Sequence, residues 1–186
     1  MSMSAVIAPR TGSVLRARVA ASNDASEAFF TAQADEIARA CQSMAVRFQA
    51  GGRLLVYGSE GRASDVSHAV VEFMHPVVVG KRALPALTLR SLDELAVIGR
   101  RGDILLLLAD AGLGDAERRG VSFALAEGIL AIALVGGEGG RHHTLLAHQE
   151  LAVPSDDPLV VQEVHEMLYH VLWELVHVFL DHGQIA

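Results

Sequence analysis

The chain has 186 residues, room for one ordinary domain. Hydrophobic residues make up 51% of it and aromatic residues only 5%, so the apolar excess is aliphatic, and the mean hydropathy is +0.33. Fifteen basic against 22 acidic residues give a net charge of −7, with no basic patch of the kind nucleic-acid binding needs.

A membrane reading also fails. A spanning helix needs roughly 20 consecutive apolar residues. The uncharged stretch 128–137 is half of that. The longer stretch 158–180 carries Glu163, His165, Glu166, His170, Glu174 and His177, which are poor lipid-facing groups. What remains is a chain expected to be cytoplasmic, with much aliphatic surface to bury in a doubly covered sheet, an oligomer, or both.

In chain order, residues 1–10 are expected as a loose tail without a secretory pattern, and 11–186 as a single domain. Helices are predicted over 11–21 and 26–49. The second holds Cys41, the sole cysteine, expected to be a small buried apolar residue. An aliphatic strand over 53–57 runs into a turn with Gly58 and Gly61, then a helix over 63–74. A weaker strand falls at 77–80 or at 85–89, and a short helix at 92–98. The strand 103–109 is followed by Gly112 and Gly114 and a helix over 115–127. The strand 129–135 is followed by Gly136 and Gly137, and a last strand by 150–153. Continuous apolar strands imply burial on both faces, the mark of a parallel sheet between helices.

The last helix, 158–181, has the clearest signals. Ser155, Asp156 and Asp157 offer caps, Pro158 suits the first turn and Gly183 the stop. Its apolar residues cover most of the circumference, so it is expected to be buried, in part against a second subunit, with His177 at that interface. The expected architecture is a three-layer α/β/α sandwich around a five-stranded parallel sheet, with N-terminal helices and a long apolar C-terminal helix.

Ligands of open α/β sheets bind beyond the C-terminal ends of the strands. The turn after the first strand reads Gly58-Ser-Glu-Gly-Arg-Ala-Ser-Asp65 and opens a helix whose N-terminus favours anions. That helix carries His68 and Glu72, four apart and on one face. The last helix carries Gln162, His165, Glu166 and His170, with Glu166 and His170 again four apart. A histidine and a carboxylate on one face can be a metal half-site, an acid/base pair or a plain polar contact. His142, His143, His148 and His182 fall in expected loops or ends, and His75 at an exposed helix end.

The run 51–73, with Asp65, His68 and Glu72 after a glycine turn, resembles the first βα unit of the sugar isomerase (SIS) domain family. It is most similar to the phosphoheptose isomerase branch, whose fold is flavodoxin-like. The run Gln162-Glu-Val-His165 followed by His170 resembles that branch's second motif. The resemblance, from about Ser26 to the C-terminus, implies aldose–ketose isomerisation of a sugar or sugar phosphate through an enediol, with Glu72 and His170 as base and acid. In some members zinc is also bound, here implying His68, Glu72, Gln162 and His170 as ligands. It further implies a homo-oligomer, a tetramer or a dimer, and a substrate site at Ser59, Arg62, Asp65, Asp110 and Gly112.

The chain departs from the family where phosphate is held. A hydroxyl-rich turn is replaced by Ala109-Asp-Ala-Gly112-Leu-Gly114, and Glu60 and Arg62 replace residues of the first turn. The alternative is therefore a non-catalytic SIS module that senses a ligand or binds a partner and has lost the sugar-phosphate site.

Overall fold

The computed structural model describes residues 9–59, 61–75, 78–137 and 149–182. These form helix α1 (Pro9–Gln49), strand β1 (Leu54–Gly58), α2 (Ala63–Met74), β2 (Ala86–Thr88), α3 (Glu94–Ile98), β3 (Ile104–Leu108), α4 (Asp115–Ala126), β4 (Leu130–Gly136), β5 (Gln149–Val153) and α5 (Pro158–His182). The five strands make one parallel sheet in the order β2-β1-β3-β4-β5.

Alternation along each strand builds the two outer layers. Leu54, Val56, Ile104, Leu106, Leu108, Leu130, Ile132 and Leu134 face a core shared with α1, α2 and α5. Leu55, Leu105, Leu107, Ala131, Ala133 and Val135 face the opposite core, with Leu95, Val121 and Ala124 of α3 and α4. The expected α/β/α sandwich is what the chain forms. Cys41 is fully buried in the first core, and burial pushes its thiol up to about 12. Among the described residues, no helix is long and apolar enough to cross a membrane.

Two expectations change, and one pair of alternatives is decided. The two N-terminal helices are one, α1, which already includes Pro9 and Arg10 of the expected tail. Ser26, read as a helix start, instead donates its hydroxyl to the Ser22 carbonyl at 2.7 Å, so it is satisfied inside a continuous helix. The second strand is Ala86–Thr88, within the later of its two expected places, and Val78 and Val79 of the earlier one stand exposed. His177 is buried within the chain: its ring nitrogens face the Trp173 carbonyl at 2.9 Å and the Arg82 carbonyl at 3.1 Å, and its ring packs on Trp173.

The last helix is buried along Val160, Val161, Val164, Leu168, Leu172 and Val176, while Leu159, Met167 and Val178 remain exposed. The expectations resting on residues 1–8, Glu60, His142, His143, His148 and Gly183 lie outside the described residues.

β1 lies between β2 and β3, and its crossover α2 covers one face, whereas α4, after β3, covers the other. The C-terminal ends of β1 and β3 are therefore the switch point of the sheet, where α/β folds bind ligands. Two glycines permit the close packing there. A Cβ on Gly58 would lie 2.7 Å from Arg62 Cβ and from Val66 Cγ2, and one on Gly136 would collide with the Asp110 carbonyl. The Ser59 amide donates to the Leu108 carbonyl at 3.0 Å and ties the first turn to β3.

Candidate functional site

Two helices from different parts of the chain meet to build the polar cluster. On α2, His68 and Glu72 share a face at one-turn spacing. On α5, Tyr169 and His170 face them. His68 Nε2 and His170 Nε2 are 3.2 Å apart, and His170 Nε2 is 3.8 Å from Glu72 Oε2. The rings of His68, Tyr169 and His170 pack mutually edge to face, with centroids 5.1–5.2 Å apart. The side chains of His68 and His170 are 40% and 44% exposed and that of Glu72 is 16% exposed, so the cluster is open to a solute without being fully solvated.

Two oxygens lie beside the other edge of His68. Nδ1 faces the Tyr169 hydroxyl at 3.0 Å and Glu166 Oε1 at 3.4 Å. Burial, followed by the carboxylates of Glu166, Asp65 and Glu72, raises the Tyr169 phenol above its ordinary range, so it stays protonated. An Nδ1–H donated to these oxygens leaves the Nε2 lone pair turned into the cluster, the arrangement a metal ligand or a base needs.

One ligand atom from each of His68, Glu72 and His170 lies within 4.8 Å of the others. Metal–nitrogen bonds of about 2.0–2.1 Å at a tetrahedral angle span roughly 3.3 Å between nitrogens. The His68–His170 separation of 3.2 Å fits that chord. Two imidazoles and a carboxylate are a donor set that suits zinc. Gln162 is placed differently. Its Nε2 donates to Asp65 Oδ1 at 2.8 Å, so this amide is held by the first turn of α2.

The remaining predicted residues gather at the switch point. Arg62 precedes α2, is only 2% exposed, and donates from Nη1 to Asp65 Oδ2 at 2.8 Å. Its Nη2 is ion-paired with Asp110, in the turn after β3. Arg62 Nε finds no hydrogen-bond partner among the described residues. Ser59 is tied to Leu108, and Gly112 sits half-buried between β3 and α4. Below them lies His165, fully buried, with Nε2–H donating to the Val135 carbonyl at 3.3 Å. Burial, reinforced by the nearby Arg62 charge, lowers His165 to about 4, so it is neutral.

Reading the sequence missed Tyr169, a lone tyrosine in an apolar helix. The available signal was its hydroxyl, which needs a partner when buried and stands beside His170.

Two grooves flank His170. One, of about 400 Å³, is lined by Glu72, Val78, Lys81, Trp173 and Glu174 among others, and the second, of about 490 Å³, by Ser22, Glu163, Glu166 and Met167 among others. Both lie in the range of small-molecule sites.

No family model matches the chain. The chain is 31% identical over 167 residues to a phosphoheptose isomerase of Alkalilimnicola ehrlichii, covering 78% of this chain and 85% of that protein. It is 28% identical over 172 residues to one of Desulfovibrio desulfuricans, covering 83% and 81%. Its fold matches the phosphoheptose isomerase structures of Francisella tularensis, with a TM-score of 0.76, 24% identity and coverage of 88% and 96%, and of Neisseria gonorrhoeae, with a TM-score of 0.77, 21% identity and coverage of 89% and 98%. On this sequence similarity, over a single parallel α/β/α sandwich, the chain belongs to the phosphoheptose isomerase family of SIS-domain proteins.

Proposed function

We propose that this chain is an aldose–ketose isomerase acting on a sugar or sugar phosphate, with Glu72 and His170 as its acid/base pair. The observation that carries the reading is the meeting of His68, Glu72 and His170 from two helices, in a family whose relatives are named phosphoheptose isomerases. Isomerisation moves a proton between two adjacent carbons and a second between their oxygens. A carboxylate next to the substrate carbon takes the first proton and leaves an enediol. An imidazole beside it handles the proton between the oxygens. Glu72 lines the groove of about 400 Å³ together with His170, so both can reach one bound sugar.

Zinc, when bound by His68, Glu72 and His170, would supply positive charge to stabilise the enediolate. Gln162 donates its Nε2 to Asp65, which leaves its Oε1 free to complete that set or to orient substrate. Ligation and proton transfer compete for His170 Nε2, whereas Glu72 has two oxygens and can serve both. Metal analysis of the purified protein, together with turnover of the zinc-loaded and chelated forms, separates these roles.

The expected result is loss of at least a hundredfold in turnover for both Glu72→Gln and His170→Ala, with the thermal midpoint kept. Full turnover in both variants would overturn the assignment.

Assembly is part of the reading. Val71, Met74, Val78, Val79, Met167 and Val178 are exposed apolar residues on or near the elements that carry the cluster. An apolar rim of this kind is what a homo-oligomer, tetramer or dimer, would cover. A non-catalytic ligand-sensing or partner-binding role is the second reading, favoured by the saturated ion pairs of Arg62 at the switch point.

A further inference from the structure

We infer that Asp110 is a built-in anion that occupies Arg62 at the switch point, so that the chain takes a sugar without a phosphate there. The inference rests on the isomerase reading for the word sugar, and on the crevice alone for the exclusion of phosphate.

The crevice lies between the turn before α2 and the turn before α4. Both helices begin without a side-chain cap, so by backbone geometry alone the place would suit an anion. Its charged groups work against one. Arg62 is buried, and its guanidinium is already held by Asp65 and Asp110. Across the crevice the first turn of α4 carries Asp115 and Glu117. Arg118 there is engaged with Asp115 at 2.8 Å and with the Leu113 carbonyl. Among the described residues, two guanidiniums stand among four carboxylates; each guanidinium is ion-paired, and Arg62 Nε and Nη2 make no hydrogen bond.

A phosphate entering beside Arg62 meets Asp110 first. Two like unit charges at 4 Å repel by roughly 4 kcal/mol at an effective dielectric of about 20, and a phosphate dianion by more. Pushing Asp110 aside leaves its carboxylate beside the phosphate, so the repulsion is relieved only when that charge is removed.

A neutral sugar fits the same groups. The Asp110 side chain is 43% exposed and keeps acceptor capacity for hydroxyl donors beyond its contact with Arg62. Arg62 therefore acts as a buried post that positions Asp110, and Asp110 reads hydroxyls where an anion would otherwise bind. Arg62, just before α2, and Glu72 within it are ten residues apart, roughly 15 Å along the helix axis, so the crevice lies toward the N-terminal end of the helix that carries Glu72.

The test uses inorganic phosphate as the probe, by calorimetric titration of the full chain and of Asp110→Ser. Asp110 is half-exposed and Asp65 still neutralises Arg62, so the variant is expected to fold. Asp110→Asn, which keeps the shape and removes the charge, is the control. The expected result is at least tenfold tighter phosphate binding in both variants than in the parent, with the gain abolished by adding Arg62→Gln. Parent affinity within threefold of the variants would overturn the inference.

A second arm follows deuterium uptake from heavy water into an unphosphorylated ketose and its terminal phosphate ester. The parent is expected to favour the unphosphorylated sugar, and Asp110→Ser to shift the kcat/KM ratio at least tenfold toward the ester. A parent that favours the ester overturns the inference. If neither sugar exchanges but the phosphate arm holds, the isomerase reading fails and the exclusion of phosphate stands.

Discussion

The two ends of α2 carry polar groups of opposite kinds. At its N-terminal end Arg62, Asp65 and Gln162 bond to one another, and Arg62 pairs with Asp110 across the switch point. Further along, His68 and Glu72 meet His170 with nitrogen and oxygen atoms 3.2–3.8 Å apart and no cation among the described residues pairing with Glu72. The first arrangement is saturated in charge, with Arg62 ion-paired twice, and suits positioning. The second leaves lone pairs converging on one place, which is what proton transfer or a metal requires. In the proposed reading, one helix thus separates the part of the site that does chemistry from the part that does recognition.

The comparison breaks most sharply at Glu72. Glu72→Gln keeps the shape and removes the base, and a loss of about 10²–10⁴ in turnover is expected by steady-state assay, with little change in stability. The saturated end should behave the other way. Asp65→Ala removes the partner of both Arg62 and Gln162 and leaves a buried guanidinium undercompensated, so a loss of about 3–5 kcal/mol is expected in urea denaturation.

His165 supplies a pH signature of the same region. Folding lowers it from 6.5 to about 4, chiefly through burial. Between these values the unfolded chain binds a proton that the folded chain does not, so stability is full above pH 6.5 and falls as the pH drops toward 4. The shift corresponds to about 3 kcal/mol. Denaturation midpoints across this range should lose that slope in His165→Phe.

The smallest effect is expected at Tyr169. Tyr169→Phe removes the hydroxyl that faces His68 Nδ1, with a stability change of about 1 kcal/mol and a zinc affinity roughly tenfold weaker in competitive chelator titrations.

The sheet was legible because β1, β3 and β4 are runs of consecutive aliphatic residues, and only a doubly covered parallel strand needs such a run. β2 was ambiguous for the opposite reason. It is three residues long, with Leu87 exposed, and a neighbouring valine run looks more apolar although Val79 is fully exposed. The break expected between 21 and 26 does not form, because a polar residue such as Ser26 signals a helix start only when a donor is left free. Ser26 satisfies itself within the helix.

The spacing on each helix made His68 with Glu72 and Glu166 with His170 readable as pairs, and the family resemblance added Gln162. Which members meet across the two helices depends on packing, and packing set the Gln162 amide nitrogen on Asp65. The Arg62–Asp110 pair was readable only as two separate departures from a family pattern. Their union depends on β1 and β3 being neighbours in the sheet.

The most direct test is deuterium uptake from heavy water at the carbon next to the sugar carbonyl, followed by NMR for the parent chain and Glu72→Gln. Glu72 as the base predicts steady uptake by the parent and at least a hundredfold slower uptake by the variant at the same thermal midpoint. Equal uptake by the two proteins, or none by the parent with either sugar class, would contradict it.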